Sequence, residues 1–222
     1  ATQAVFDQEN EGRESEYGTM PCCRGTEEGT LLSDCVYDCT AAKHSLNDSR
    51  HFEKISPVFL PKTSKTKVLV LDIDETMVHT LDESDPKNMR SKITLMIPDQ
   101  EDARELVPVY INVRPHLIKC LFDLNKGFKF SIQAGEQTYA DGILDFLDPT
   151  DEIFEARLYR QHCIITEYGL IKDLRVIRNR DIKDIAIIDN DCMSFALNIN
   201  NGVPILPFFD NTKDEELEHL AY

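Results

Sequence analysis

Two short, unbroken apolar runs constrain the fold of this chain more than any other feature. Val68-Leu69-Val70-Leu71 ends at Asp72, and Ile185-Ala186-Ile187-Ile188 ends at Asp189-Asn190-Asp191. Four β-forming residues without a polar interruption suit a strand buried on both faces, as in a parallel sheet. A further central strand is predicted over residues 128–132, ending at Gln133, and others over 107–113 and 154–159. Helices fall between them. One opens at Arg114-Pro115-His116, with Pro near its first position. Leu117, Ile118, Leu121, Phe122 and Leu124 form its apolar face, and Gly127 closes it. Another spans residues 139–147 and stops before Pro149. Thr212-x-x-Glu215 has the capping-box pattern of a last helix. Residues 81–106 are polar with one apolar run over 93–97, and read as a loop and a hairpin. Strand–helix alternation predicts an α/β fold: a mostly parallel sheet flanked by helices, with a small hairpin insertion after the first motif strand. No internal repeat is visible.

The length of 222 residues suits one domain and an appendage. Residues 1–60 read as an acidic, partly flexible N-terminal arm and linker, and 61–222 as the catalytic domain. Pro57, Pro61 and the lysines at 62, 65 and 67 mark the approach to the domain edge. The chain opens on Ala1 without an apolar signal region, as expected of an end that is processed or incomplete. The net charge of −16 disfavours nucleic acid, which needs clustered Lys and Arg. No stretch approaches the roughly 18 apolar residues of a membrane span. Of seven cysteines, Cys120, Cys163 and Cys192 read as buried thiols. Cys22, Cys23, Cys35 and Cys39 have neither a standard zinc spacing nor the look of a disulfide framework. A reducing, intracellular setting is expected, nuclear or cytoplasmic, with a mitochondrial or assembly-bound location left open.

In open parallel sheets, ligands bind outside the carboxyl ends of the strands. Here those ends carry Asp72 and Asp74, Gln133, and Asp189-Asn190-Asp191. Carboxylates converging in one crevice repel one another unless a cation neutralises them. Hard oxygen donors open to water suit Mg²⁺, and Mg²⁺ suits phosphate. Two aspartates one residue apart can serve as nucleophile and as acid/base. A transferring phosphoryl group also needs positive charge, for which Lys172 is the candidate. Arg114 is open to two readings, a structural ion pair or a substrate contact. His79 reads as a packed loop histidine.

Residues 68–80, VLVLDIDETMVHT, resemble the opening motif of the RNA polymerase II C-terminal-domain phosphatases. These are also called NLI-interacting-factor-like phosphatases, a branch of the haloacid dehalogenase superfamily. The resemblance continues through VRPHLIKCL, TYADGILDFLDP, FEARLYRQHC, YGLIKDL, AIIDND and GVPILPFFDNTKDEELEHL, and so covers about residues 66–222. It implies a haloacid-dehalogenase-like, Rossmann-like fold. It implies that Asp72 is the phosphorylated nucleophile and a Mg²⁺ ligand. Asp74 would be the general acid/base, with its backbone carbonyl on the metal, and Lys172 would neutralise nucleophile and phosphate. Asn190 would be a direct metal ligand, supported by Asp189. Thr76 matches the motif's threonine, which supports the loop, and Arg160 a position near the peptide-binding cleft; with Gln133 they are the expected substrate- and phosphate-binding residues. The implied substrate is phosphoserine or phosphothreonine in a protein or peptide segment. One departure stands out: Gln133 occupies the place where the family typically has a phosphate-binding Thr or Ser. Its amide can still donate to a phosphate oxygen, whereas Ser131 would sit deeper in the strand.

The expected function is therefore a magnesium-dependent protein serine/threonine phosphatase working through an aspartyl phosphate. The alternative is a low-activity or inactive member of the fold serving as a binding subunit, with residues 1–60 docking a protein partner. A small-metabolite phosphatase is disfavoured, because neither residues 82–106 nor 161–170 are long enough for a large cap.

Overall fold

The computed structural model describes residues 55–81, 93–99, 102–133, 136–166 and 169–220, with the backbone alone for 129–133. In chain order the strands are β1 (Val68–Leu71), β2 (Val78–Leu81), β3 (Ile93–Pro98), β4 (Leu106–Val113), β5 (Lys129–Gln133), β6 (Phe154–Leu158), β7 (Ile164–Thr166), β8 (Gly169–Ile171), β9 (Ile185–Asp189) and β10 (Gly202–Pro204). The α-helices are α1 (Leu117–Leu124), α2 (Gln137–Leu147) and α3 (Glu216–Leu220).

The central sheet is five-stranded and parallel, in the order β10-β9-β1-β5-β6. As the apolar run predicts, β1 is buried throughout. Leu69 and Leu71 join a core with Met77, Ile111 and residues of α1 and α2. Val68 and Val70 join a second core with Leu174, Val176, Ile187 and Phe195. Strand β1 is thus gripped from both faces, and the residue after it is held in place by two cores.

The insertion is larger than the hairpin expected. Strands β2, β4 and β3 form a three-stranded antiparallel sheet. Val78–Leu81 belongs to it, although the sequence reads as the tail of a motif. A single buried residue among half-buried ones gives β2 too weak a pattern to stand out.

Three local readings are corrected. Ile118 and Phe122, assigned to the buried face of α1, are 56% and 69% exposed, and Cys120 takes the inner position with Leu117 and Leu121. The last helix starts at Glu216, and the Asp214 carboxylate, rather than Thr212, accepts the Glu216 N–H at 3.3 Å. Cys120 is a buried free thiol and the buried Cys163 thiol donates to Tyr159 O at 3.8 Å, whereas Cys192 is buried and disulfide-bonded. Val58 and Leu60, on the arm side of the expected boundary, pack on the domain. Val58 bonds to Val176 O and Arg178 N, each at 2.9 Å. The Asn179 amide pairs with both backbone groups of Leu60, at 2.9 and 2.6 Å.

Candidate active site

Strands β1 and β9 lie in register with Leu71 opposite Ile188, so Asp72 and Asp189 emerge side by side at the carboxyl edge. The Asp72 N–H donates to Ile188 O at 3.1 Å, which fixes the backbone at that exit. Lys172 arrives from the short β7–β8 hairpin, its own N–H donating to Ser194 O at 2.6 Å. Its ammonium donates to Asp72 Oδ1 at 2.5 Å and to Asp189 Oδ2 at 2.7 Å. The other Asp189 oxygen accepts the Asp191 N–H at 2.8 Å. One buried ammonium therefore bridges two buried carboxylates.

Burial dominates the electrostatics. It pushes the Asp189 carboxyl up to about 7, Lys172 opposing and Asp72 adding to the shift. Burial also raises Asp72, with Lys172 pulling the other way. For Lys172 burial works against the charge, but Asp189 and Asp72 outweigh it and hold the ammonium protonated. Asp74 is raised to about 6, first by burial and then by Asp72, against a hydrogen bond from Tyr139 that favours its charged form.

The turn after Asp72 is closed by Ile73 O, which accepts N–H groups of Met77 at 2.9 Å and Val78 at 3.1 Å. Glu75 adopts φ 57°, in the left-handed region that non-glycine residues rarely enter. Arg114 holds this turn from below. It is 1% exposed and forks onto Asp214 at 2.7 and 2.9 Å. It also donates to Thr76 O at 3.2 Å and Leu206 O at 2.8 Å. Of its two readings the structural one holds. His79 packs as expected, 3.0 Å from Glu75 and edge-on to Phe209.

The donors around Asp72 fit a small hard cation. Asp72 and Asp189 share one ammonium, and the half-buried Asp74 adds a third carboxyl beside them. Among the described residues no three His, Cys, Asp or Glu side chains are grouped to hold a metal. A site built from the Asp72 carboxylate, the Asn190 amide oxygen and the Asp74 carbonyl needs no such group, because Mg²⁺ keeps several waters and binds through one or two carboxylates. Thr76 would serve that set indirectly. It is fully buried, donates to Asn190 Oδ1 at 3.1 Å and accepts the Asn190 N–H at 3.2 Å. Its hydroxyl is thus engaged by Asn190 rather than turned to a phosphate. Thr76→Val, equal in size but without these bonds, is expected to weaken magnesium affinity about 10- to 100-fold, the usual cost of losing a group that orients a ligand. Titrating magnesium against the melting temperature measures it.

Gln133 ends β5 one residue past Ile132, which is opposite Leu71, so its backbone is level with Asp72. Its side chain lies outside the described residues. Arg160 is exposed in a 3₁₀ turn after β6, two strands from β1, and does not join the Asp72 cluster. Sequence reasoning missed Tyr139 and Thr80, whose hydroxyls are 2.5 Å apart beside Asp74. The signal was an aromatic hydroxyl in the first turn of the helix that follows β5.

Residues 67–222 match the sequence profile of the family described as NLI interacting factor-like phosphatase. The chain belongs to that family. Among NLI interacting factor-like relatives, CTD small phosphatase-like protein 3 of Caenorhabditis elegans is 34% identical over 169 residues, covering 74% of this chain and 56% of its own. The human carboxy-terminal domain RNA polymerase II polypeptide A small phosphatase 1 is 33% identical over 153 residues, covering 68% of this chain and 56% of its own. Nuclear envelope morphology protein 1 of Schizosaccharomyces pombe is 31% identical over 169 residues, covering 76% of this chain and 34% of its own. The chain thus spans about half, or less, of the length of these relatives. The solved structure of Fcp1, an essential RNA polymerase II CTD phosphatase, superposes with a TM-score of 0.53 at 19% identity, covering 77% of this chain and 47% of that one. That likeness speaks for the haloacid-dehalogenase-like α/β fold.

Proposed function

We propose that this chain is a magnesium-dependent protein serine/threonine phosphatase that works through an aspartyl phosphate on Asp72. The observation that carries the reading is Lys172 bridging Asp72 and Asp189, with the protonatable Asp74 two residues from the nucleophile. Asp72 attacks phosphorus while Asp74 gives its proton to the departing seryl or threonyl oxygen. Lys172 then stabilises the charge on the phosphoryl oxygens. Asp74 takes a proton from the water that releases phosphate. Bound Mg²⁺ would supply further charge neutralisation at the phosphoryl group, held by Asp72, Asn190 and the Asp74 carbonyl, with Asp189 in support. Gln133, and the exposed Arg160 further along the sheet edge, would meet the substrate segment.

Insertions too short for a large cap suit an extended phosphorylated segment, and residues 1–60 are proposed to dock a protein partner. Family membership and the fission yeast relative named for nuclear envelope morphology support an intracellular, nuclear or nuclear-envelope location. Among the described residues no helix is long and apolar enough to cross a membrane.

Hydrolysis of an aryl phosphate and of a phosphoseryl peptide should require magnesium, stop with chelator and return on adding the ion. Because Asp74 acts as an acid from its protonated form, with its carboxyl at about 6, kcat/KM on the peptide should fall above that pH. The limiting slope is about tenfold per pH unit. A pH–rate profile without that alkaline limb counts against Asp74 as the acid. The binding-subunit reading rests on Gln133. It gains support if Gln133→Thr switches on an inactive parent, and it fails if the unaltered protein is robustly active.

A further inference from the structure

The ring of Tyr139 packs against the core beneath α2. Packing alone would be served as well by Phe, so the hydroxyl asks for another explanation. It donates to Asp74 Oδ1. A phenol has one proton, and once that proton faces the carboxylate the oxygen is left to accept. Thr80 Oγ1, on β2, lies 2.5 Å away to supply the donor. A directed chain therefore runs from Thr80 to Tyr139 to Asp74, and it joins the insertion sheet, α2 and the motif turn. Asp74 Oδ2 bonds to none of the described residues, and Asp74 is only half-buried.

We propose that Tyr139 is a positioning residue: its hydroxyl, oriented by Thr80, reserves Asp74 Oδ1 as an acceptor, so that the catalytic proton sits on Oδ2 and faces the leaving oxygen. This rests on the phosphatase reading given above. As the bond between phosphorus and the substrate oxygen breaks and the bond between phosphorus and Asp72 forms, the Oδ2 proton passes to the departing oxygen. When water later attacks the aspartyl phosphate, Oδ2 takes the proton back. Tyr139 keeps its own proton throughout. Without the phenol, either carboxyl oxygen can carry the proton and the side chain is free to turn away.

The test is a series of aryl phosphates of increasing leaving-group basicity, ending in a phosphoseryl peptide, with the unaltered protein and Tyr139→Phe. The readout is kcat/KM, which reports transfer to Asp72 and not the later hydrolysis. A stable leaving group such as p-nitrophenolate needs little protonation, whereas a seryl alkoxide needs it fully. Tyr139→Phe should lower kcat/KM about 10-fold or more on the peptide and less than about 3-fold on p-nitrophenyl phosphate, so that its plot is steeper. Thr80→Val should steepen the plot in the same direction, and Thr80→Ser should restore it. An equal fall on every substrate would mean a merely structural tyrosine and overturns the proposal. If the unaltered protein turns over none of the series, the phosphatase reading itself fails and this role goes with it. An active protein with parallel plots overturns the positioning role alone.

Discussion

Asp72→Asn should lower magnesium-dependent turnover by about 10³-fold or more, the scale seen when a nucleophile is removed from an otherwise intact site. Asn has nearly the shape of Asp, but its amide does not attack phosphorus, and it brings no charge to a metal. The protein should stay folded. Lys172 keeps its 2.7 Å bond to Asp189, and one fewer buried carboxylate crowds the site. The melting temperature without metal should therefore hold or rise, while the increase caused by magnesium should shrink. Activity that survives the change would place the nucleophile elsewhere. A melting temperature that collapses would show that the Asp72–Lys172 pair holds the fold together.

Arg114→Met should cost roughly 3–5 kcal/mol of unfolding free energy, the range for breaking a buried ion pair by removing one partner. The change keeps an unbranched apolar stem, shortens the side chain and deletes its donors. Asp214 is left buried without its fork, and the carbonyls of Thr76 and Leu206 lose the donor that joins them. Asp214→Asn should cost less, since Arg114 retains both carbonyls. A double-mutant cycle in urea isolates the pairwise part. Activity of the folded fraction should fall too, because the Thr76 carbonyl belongs to the turn that presents Asp74. Unfolding midpoints that coincide for both single variants would mean that the carbonyl contacts contribute little.

Both predictions concern residues that the sequence exposed unequally. Asp72 was visible because β1 and β9 are uniformly apolar and each ends abruptly in acid. In a parallel sheet that pattern points to the carboxyl edge without any contact being known. Asp74, Asp189 and Asn190 stood out at the same strand ends and Lys172 as the candidate charge, while resemblance supplied their roles; the structure brings Lys172 to Asp72 and Asp189 and ties Asn190 to Thr76. Arg114 stayed ambiguous because its partner is 100 residues away, inside what looked like a helix cap. Tyr139 went unread for the same reason, since it meets Asp74 across 65 residues and Thr80 across 59. The outer surface of α1 misled differently. Ile118 and Phe122 have the spacing of a buried stripe, yet they are exposed, and a cysteine lies inside. Hydrophobicity orders residues by their cost in water, and it does not say which face a short helix turns to its neighbours.

The evenness of β1 has a cost for folding accuracy. Alternating strands resist slippage because a shift of one residue turns the wrong face inward. Val68 to Leu71 carry no alternation, so a chain paired one step out would bury almost the same oil. What differs is the end of the strand. A slip would drive Asp72 into the apolar layer, away from Lys172, and desolvating an unpaired carboxylate is severe enough to reject that arrangement. The Asp72–Lys172 pair would thus also mark correct alignment, and a variant that neutralises it should tolerate misaligned folding intermediates that the natural chain discards.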